Sequence, residues 1–205
     1  QEDIQKFNFT TKKMSVSGSL FDIDKLRDIS KNVISRMKTE TVYCLLTEWA
    51  KQFDEEFYAL LTRDEAYTKQ ILAIGRECPK PRKDIAVWSE AKAYMSFFFD
   101  ELFQQEEDYP ENVSAADRRA ILEKFSLAYD PADDNNQWFD KIKTISQELG
   151  FAGNTKDYKK DPDAYKGHVG DVSMVIRVAV TGRTNSPDMY EVMQVLGARR
   201  VKERL

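Results

Sequence analysis

The sequence predicts an all-α fold, and three observations carry that expectation. Only 8 Gly and 6 Pro punctuate the 205 residues, so the stretches between breakers are long. Within those stretches apolar residues recur three and four apart, the period of a helix with one buried face. No succession of strands shows anywhere, and only Phe7 to Leu20 lacks helical period.

Each element follows from its own signals. Asp24 is placed to cap a first helix whose apolar face is Leu26, Ile29, Val33, Ile34 and Met37. Val42, Leu45, Leu46, Trp49 and Phe53 form a second stripe, with Thr39 as its expected cap. Asp64 opens a third helix, for which Gly75 is a C-terminal stop. Residues 75–84 carry two prolines and four cations and read as a loop. A helix is expected from Ser89 to about Gln105; Tyr94, Met95, Phe97, Phe98, Phe99, Leu102 and Phe103 make it apolar on several sides, hence central. Tyr109-Pro110 ends it, and Ser114 with Asp117 starts the next, to about Tyr129. Trp138, Ile142, Ile145 and Leu149 mark another. Gly150 to Gly170 reads as a long polar loop, after which Val172, Val175, Ile176 and Ala179 define a helix stopping at Gly182. Ser186-Pro187 has the pattern of an N-cap followed by proline in the first turn, Gly197 ends that helix, and Ala198 to Leu205 begin a further one. The helices divide into two subdomains meeting near Tyr109-Pro110, with boundaries at 38–109 and 110–205.

Composition narrows the function. Hydrophobic residues at 41% and charged residues at 32% fit a globular chain, and the densest apolar run, Tyr94 to Phe103, is far short of the ~20 residues that span a bilayer. The chain begins with Gln1 and shows no basic-then-apolar leader, which predicts a fragment. Cys44 and Cys78 lie in unrelated segments without metal-site spacing, which predicts a reducing, cytoplasmic setting. With His168 as the one histidine, no His-rich zinc site is available, and His168 reads as a loop hydrogen-bonder rather than a base. Between Asp100 and Asp134 eleven acids oppose three cations, a face that repels phosphate; from Arg177 onward six cations oppose three acids. Joined to the cations of the 76–83 loop, that second segment would give a net-acidic protein (net charge −4) a basic strip for RNA. Lys156 to His168 interleaves lysines with tyrosines, as a single-stranded RNA platform does, but Asp157, Asp161 and Asp163 offset it.

Near the start, Lys13-Met14-Ser15-Val16-Ser17 looks like the KMSKS loop of class I aminoacyl-tRNA synthetases, but Val16 stands where the catalytic lysine is needed. The partner motif H-x-G-H needs two histidines. Three other stretches point more specifically. Ser17 to Leu26 resembles the G-x-x-F-D-x-x-K-L stretch of bacterial glutamyl-tRNA synthetases. Val175-Ile176-Arg177-Val178-Ala179-Val180-Thr181-Gly182, then Ser186-Pro187-Asp188-Met189-Tyr190-Glu191-Val192, then Leu196-Gly197 with Arg204-Leu205, resemble that family's L-R-x-A-L-T-G, S/T-P-x-L-F/Y-E-V and L-G-x-x-R-x-x-x-R-L signature.

The resemblance implies the end of a stem-contact region, at 1–37, followed by the two helical subdomains of an anticodon-binding α-helix cage, without the catalytic domain. It implies tRNA(Glu) as partner, with tRNA(Gln) as a second candidate, a monomer, no membrane, and no catalytic residue or cofactor in this part, ATP and Mg belonging to the parent's catalytic domain. It assigns anticodon contacts to Arg177, Ser186, Pro187 and Met189; Asp188 stands where the family often has a small or apolar residue. Arg76 is the nearest match to the arginine that senses the third anticodon base. The residues suit that work on their own terms: a helix start at Ser186-Pro187 offers free N–H groups, and a guanidinium at Arg177 can read or stack on a base. The rival reading is an acidic all-α protein-interaction adaptor. The RNA reading requires the C-terminal cations to share an exposed face with the 76–83 loop; the adaptor does not.

Overall fold

The computed structural model describes residue 12 and residues 21–205. The KMSKS-like pentapeptide and most of the stretch preceding Phe21 lie outside the described residues. Helices and short 3-10 turns make up the described chain, and no strand occurs among the described residues; an isolated bridge pairs Ala152 with His168.

Helix α1 (Ile23–Ser35) is capped by Asp22, not Asp24: the Asp22 carboxylate accepts the Lys25 N–H at 2.9 Å. Its expected core face is only partly covered, since Leu26, Ile29 and Val33 are each about half exposed while Ile34 is buried. Helix α2 (Thr39–Phe53) begins at Thr39, but no side chain of its own caps it; the Thr39 N–H donates to Glu77 from the distant loop at 2.9 Å. Asp54 then caps a helix the pattern did not announce, α3 (Glu55–Arg63), and Asp64 caps α4 (Glu65–Ala73) as expected. The caps Asp54 and Asp64, ten residues apart, separate α2, α3 and α4, and both later helices fold back on α2.

The helix expected from Ser89 to Gln105 is the main departure. The segment is a 3-10 turn at Trp88–Glu90, a short α5 (Ala91–Met95) and another 3-10 turn at Ser96–Phe98. Phe97, Phe98 and Phe99 are all buried, and three consecutive rings cannot share one face of an α-helix. The carbonyls released by the break find outside donors: Tyr67 Oη donates to Phe98 O at 2.8 Å and Arg204 Nη1 to Phe97 O at 2.7 Å.

The second group follows the pattern more closely. Helix α6 (Ala115–Ala128) is capped by Ser114, whose Oγ accepts the Asp117 N–H at 3.1 Å. Asp134 and Gln137 cap α7 (Asn135–Glu148) reciprocally. Inside the expected loop, Asn154 caps a one-and-a-half-turn α8 (Thr155–Lys160), followed by a 3-10 turn at Pro162–Ala164. Helix α9 (Val169–Thr181) is the central one: eight of its residues are buried, and it packs on α6, α7 and α10 (Met189–Arg204). His168 caps α9, its Nδ1 accepting the Gly170 N–H at 2.9 Å while Asp171 accepts the His168 N–H at 2.8 Å. The ring is therefore occupied by a structural hydrogen bond.

Helix α9 stops at Gly182, in the left-handed region at φ 74°. The next helix starts later than the Ser186-Pro187 signal implied. Asp188 is the cap of α10, its carboxylate accepting the Glu191 N–H at 3.1 Å, and Gly197 breaks the helix with φ 79° and ψ 157°. Ser186 and Pro187 instead form the buried floor of the turn before it.

Three C-terminal arginines fasten α10 to the phenylalanine segment. Asp100 pairs with Arg199, Arg200 and Arg204 at 3.4, 3.0 and 3.2 Å. Arg204, almost wholly buried, also donates to Val180 O at 2.9 Å and lies 3.8 Å over the Phe103 ring. One buried core thus runs from Val42 and Leu46 through Phe97 and Phe98 to Val175 and Val192.

Candidate nucleic-acid interface

The cation pattern resolves differently from the expected basic strip. Arg199, Arg200 and Arg204 are engaged with Asp100, and Arg183 makes a two-pronged pair with Glu106, Nε to Oε2 at 2.9 Å and Nη2 to Oε1 at 2.6 Å. What meets the 75–84 loop is the turn after α9, together with Arg177. Gly75, Arg82, Asn135, Arg177, Ser186 and Asp188 line an open cleft of about 430 Å³ between that loop, α7, α9 and the turn before α10. The loop is tied to α10 there, the Gly75 N–H donating to Glu191 Oε2 at 3.2 Å.

Arg177 projects from the third turn of α9 onto the floor of this cleft. Its Nη1 donates to Ser186 Oγ and, at 3.3 Å each, to Ser186 O and Pro187 O. Burial lowers the guanidinium's pKa from its usual value; Asp188 opposes that shift and Arg82 reinforces it. Two arginines from separate groups of helices therefore lie near enough to repel one another. Arg82 is oriented by a fork with Asp84, Nε and Nη2 each 2.8 Å from a carboxylate oxygen, and this hydrogen bonding raises its pKa against the effect of burial. Gly75 makes room for it: at φ +62° it lacks the Cβ that would press on Arg82 Cδ at 2.9 Å.

Of the residues expected to act together, Arg177, Ser186, Pro187 and Met189 are brought together and Arg76 is not. Arg76 is turned inward: Nε donates to Leu72 O at 2.8 Å, and Nη1 donates to Ile34 O at 2.7 Å and Met37 O at 3.3 Å. It closes the C-terminal end of α1, and burial depresses its pKa. Arg82 occupies the cleft instead, and the sequence offers no one-dimensional signal to choose between two arginines six residues apart in a loop. Ser186 is 7% exposed; its Oγ donates to Pro187 O at 2.9 Å and accepts from Arg177, so its hydroxyl holds the turn. The helix N-terminus expected to offer free N–H groups at Ser186-Pro187 begins at Asp188 and already holds that carboxylate.

Met189 belongs to a neighbouring recess of about 220 Å³, walled by Trp138, Phe139, Ile142, Ile176 and Met189 and sharing Asn135, Arg177 and Asp188 with the first cleft. On the other side, Arg82, Asp84, Tyr94, Arg183, Asn185 and Ser186 line a third hollow of about 240 Å³. The three open side by side around Arg177, Arg82 and the 185–188 turn. Arg82 and Arg177 are accompanied by Asp84, Asp188 and Glu191, so the site is not a net positive field; it offers oriented donors and acceptors beside apolar walls. Such a surface reads the edges of unstacked bases better than it holds phosphate. Among the described residues no cluster of His, Cys, Asp and Glu is placed to hold a metal ion.

Comparison with known proteins bears on the family. A family described as "Anticodon binding domain" matches residues 163–205, the segment that carries Arg177, Ser186, Pro187 and Met189. The chain is 46% identical over 203 residues to a glutamate–tRNA ligase of Acetivibrio thermocellus, covering 99% of this chain and 37% of the relative. It is 44% identical to the ligase of Clostridium perfringens strain 13, covering 99% of this chain and 38% of that one. Its identity to the ligase of Sorangium cellulosum is also 44%, covering 97% and 35%. The chain thus spans little more than a third of the length of these curated relatives. Matched almost end to end by such sequences, and ending at residues 163–205 in the segment that the anticodon-binding family matches, the chain belongs to the glutamate–tRNA ligase family.

Proposed function

We propose that this chain recognises the anticodon loop of a glutamate-accepting tRNA for a longer protein that attaches glutamate to that tRNA. The observation that carries the reading is the pairing of Arg177 with Arg82 across one cleft, each oriented by its own neighbours and flanked by base-sized recesses. Arg177 and the 185–188 turn meet one base. The Trp138, Phe139 and Met189 recess takes the face of a second. Arg82, in the role the sequence suggested for Arg76, reads a third from the opposite group of helices. In the whole protein ATP and Mg would act in a domain outside this chain, which alone forms no adenylate. The reading carries with it tRNA(Glu), or tRNA(Gln) in addition, a monomeric state and a cytoplasmic setting.

The shared basic face that the RNA reading called for forms only in part, since Arg177 and Arg183 line the hollows with Arg82 while Arg199, Arg200 and Arg204 are engaged by Asp100. The acidic adaptor is still less well supported, because it gives no reason for Arg177 and Arg82 to converge on one cleft. Chemical footprinting of tRNA(Glu) bound to the chain tests the choice. Protection confined to the anticodon loop is expected. Protection of the acceptor stem alone, or none at saturating protein, would contradict the proposal.

A further inference from the structure

The acidic segment leading from the phenylalanine turns toward α6 has an unexpected position: it lies against the turn that lines the cleft. Gly182 O accepts the backbone N–H groups of both Glu106 and Glu107, at 3.0 Å each. Any Cβ at Gly182 would run into the carbonyl oxygen of Gln104, so the close approach depends on glycine as well as on its positive φ. Glu106 takes the Arg183 guanidinium in its two-pronged pair, and the same guanidinium donates to Ser96 Oγ at 3.0 Å. Glu107 Oε2 accepts the Thr184 N–H at 2.6 Å and also the Thr184 hydroxyl. These bonds hold the Glu107 carboxyl below the usual carboxylate range.

From this geometry we infer that Glu107, assisted by Glu106, is a positioning residue for RNA recognition. It holds the Arg183–Asn185 turn from one side while Arg177 holds Ser186 and Pro187 from the other. Arg183 is drawn toward Glu106 where it lines the third hollow, and Asn185 and Ser186 line the same hollow with Arg82. The inference rests on the anticodon-binding reading and adds a specific, counterintuitive consequence. Carboxylates on an RNA-facing side oppose phosphate, so removing one should strengthen binding if charge alone mattered. A latch predicts the reverse for the reading of bases.

The test compares Glu107→Ala and Glu107→Gln in the 205-residue chain. The glutamine carbonyl oxygen is able to accept both Thr184 donors, so it preserves the latch while removing the charge. Amide hydrogen exchange at Thr184, without RNA, reads the turn directly. Affinities for tRNA(Glu) and an anticodon-swapped tRNA(Glu) read its consequence, and a thermal transition checks the fold. Glu107→Ala is expected to speed Thr184 exchange and to lower the cognate-to-swapped affinity ratio by about three- to tenfold, the loss of the two hydrogen bonds to Thr184. Glu107→Gln should do neither. Unchanged exchange in Glu107→Ala would refute the latch. Faster exchange with an unchanged ratio would refute its role in recognition, as would equal strengthening of all RNAs by both variants. If the parent chain itself fails to separate the two RNAs, the anticodon reading falls and this role falls with it, while Thr184 exchange still reports whether the latch exists.

Discussion

Replacing Arg177 with alanine separates recognition from architecture. The guanidinium makes three contacts to the turn, but two of them are 3.3 Å long, and only the bond to Ser186 Oγ is close. Because the side chain is partly exposed and the acceptors regain water on its removal, the expected stability loss is about 1 kcal/mol. The effect on RNA is larger if the same guanidinium also reads a base: about 1–3 kcal/mol of affinity for the cognate anticodon, with reduced discrimination against a changed first anticodon base. Arg177→Lys keeps a charge and a donor but loses the planar fork, so it should retain most of the stability and little of the discrimination. The assay is a binding titration against cognate and anticodon-swapped tRNA at a temperature where calorimetry shows all variants folded. A folded Arg177→Ala chain that separates the two RNAs as well as the parent would show that Arg177 only holds the turn. An equal loss for both RNAs would make it a phosphate contact.

Arg76 and Arg82 should behave oppositely. Arg76→Ala should lower stability by about 2 kcal/mol, since it removes one donor from each of the Leu72, Ile34 and Met37 carbonyls, and leave discrimination intact, whereas Arg82→Ala should spare the melting transition and reduce discrimination. Asp100→Asn tests the arginine hub. Burial works against it, yet Arg200 and Arg204 hold the Asp100 pKa below its unfolded value. Its contribution, about 1 kcal/mol, is therefore present above roughly pH 4 and disappears as pH falls through the folded-state pKa. Melting curves of parent and variant should converge in acid and differ at neutral pH. Finally, with most C-terminal arginines already paired, few phosphates are neutralised, and log affinity should fall with log salt at a slope of only about −1 to −2, measured by titration at several salt concentrations. A much steeper slope would mean a phosphate-tracking surface that the cleft does not explain.

How much of this was legible in the sequence depends on whether the signal was local. Ser114 with Asp117, Asp64 and Gly182 each act through neighbours within four residues, and each is found where the pattern put it. The phenylalanine segment misled because helical spacing cannot register that three successive rings are all needed inside. The Ser186-Pro187 cap misled for a related reason. Both residues have cap chemistry, but a distant guanidinium claims Ser186, and Asp188 competes successfully for the cap. At the proposed site, Arg177 was singled out because it lies within a motif. Arg82 was not, because its importance comes from Asp84 beside it and Gly75 beneath it, a relation only the folded loop creates. The fate of the C-terminal cations was equally hidden, since nothing in a charge count says that one aspartate will engage three of them.

The most direct measurement is the ratio of dissociation constants of the 205-residue chain for tRNA(Glu) and for the same tRNA with its anticodon replaced, taken at one fixed salt concentration. The account predicts clearly tighter binding to the native anticodon, a ratio of about tenfold or more from even one well-made bidentate base contact. Equal affinities for the two RNAs would contradict it, and would leave the Arg82–Arg177 cleft without the role assigned to it.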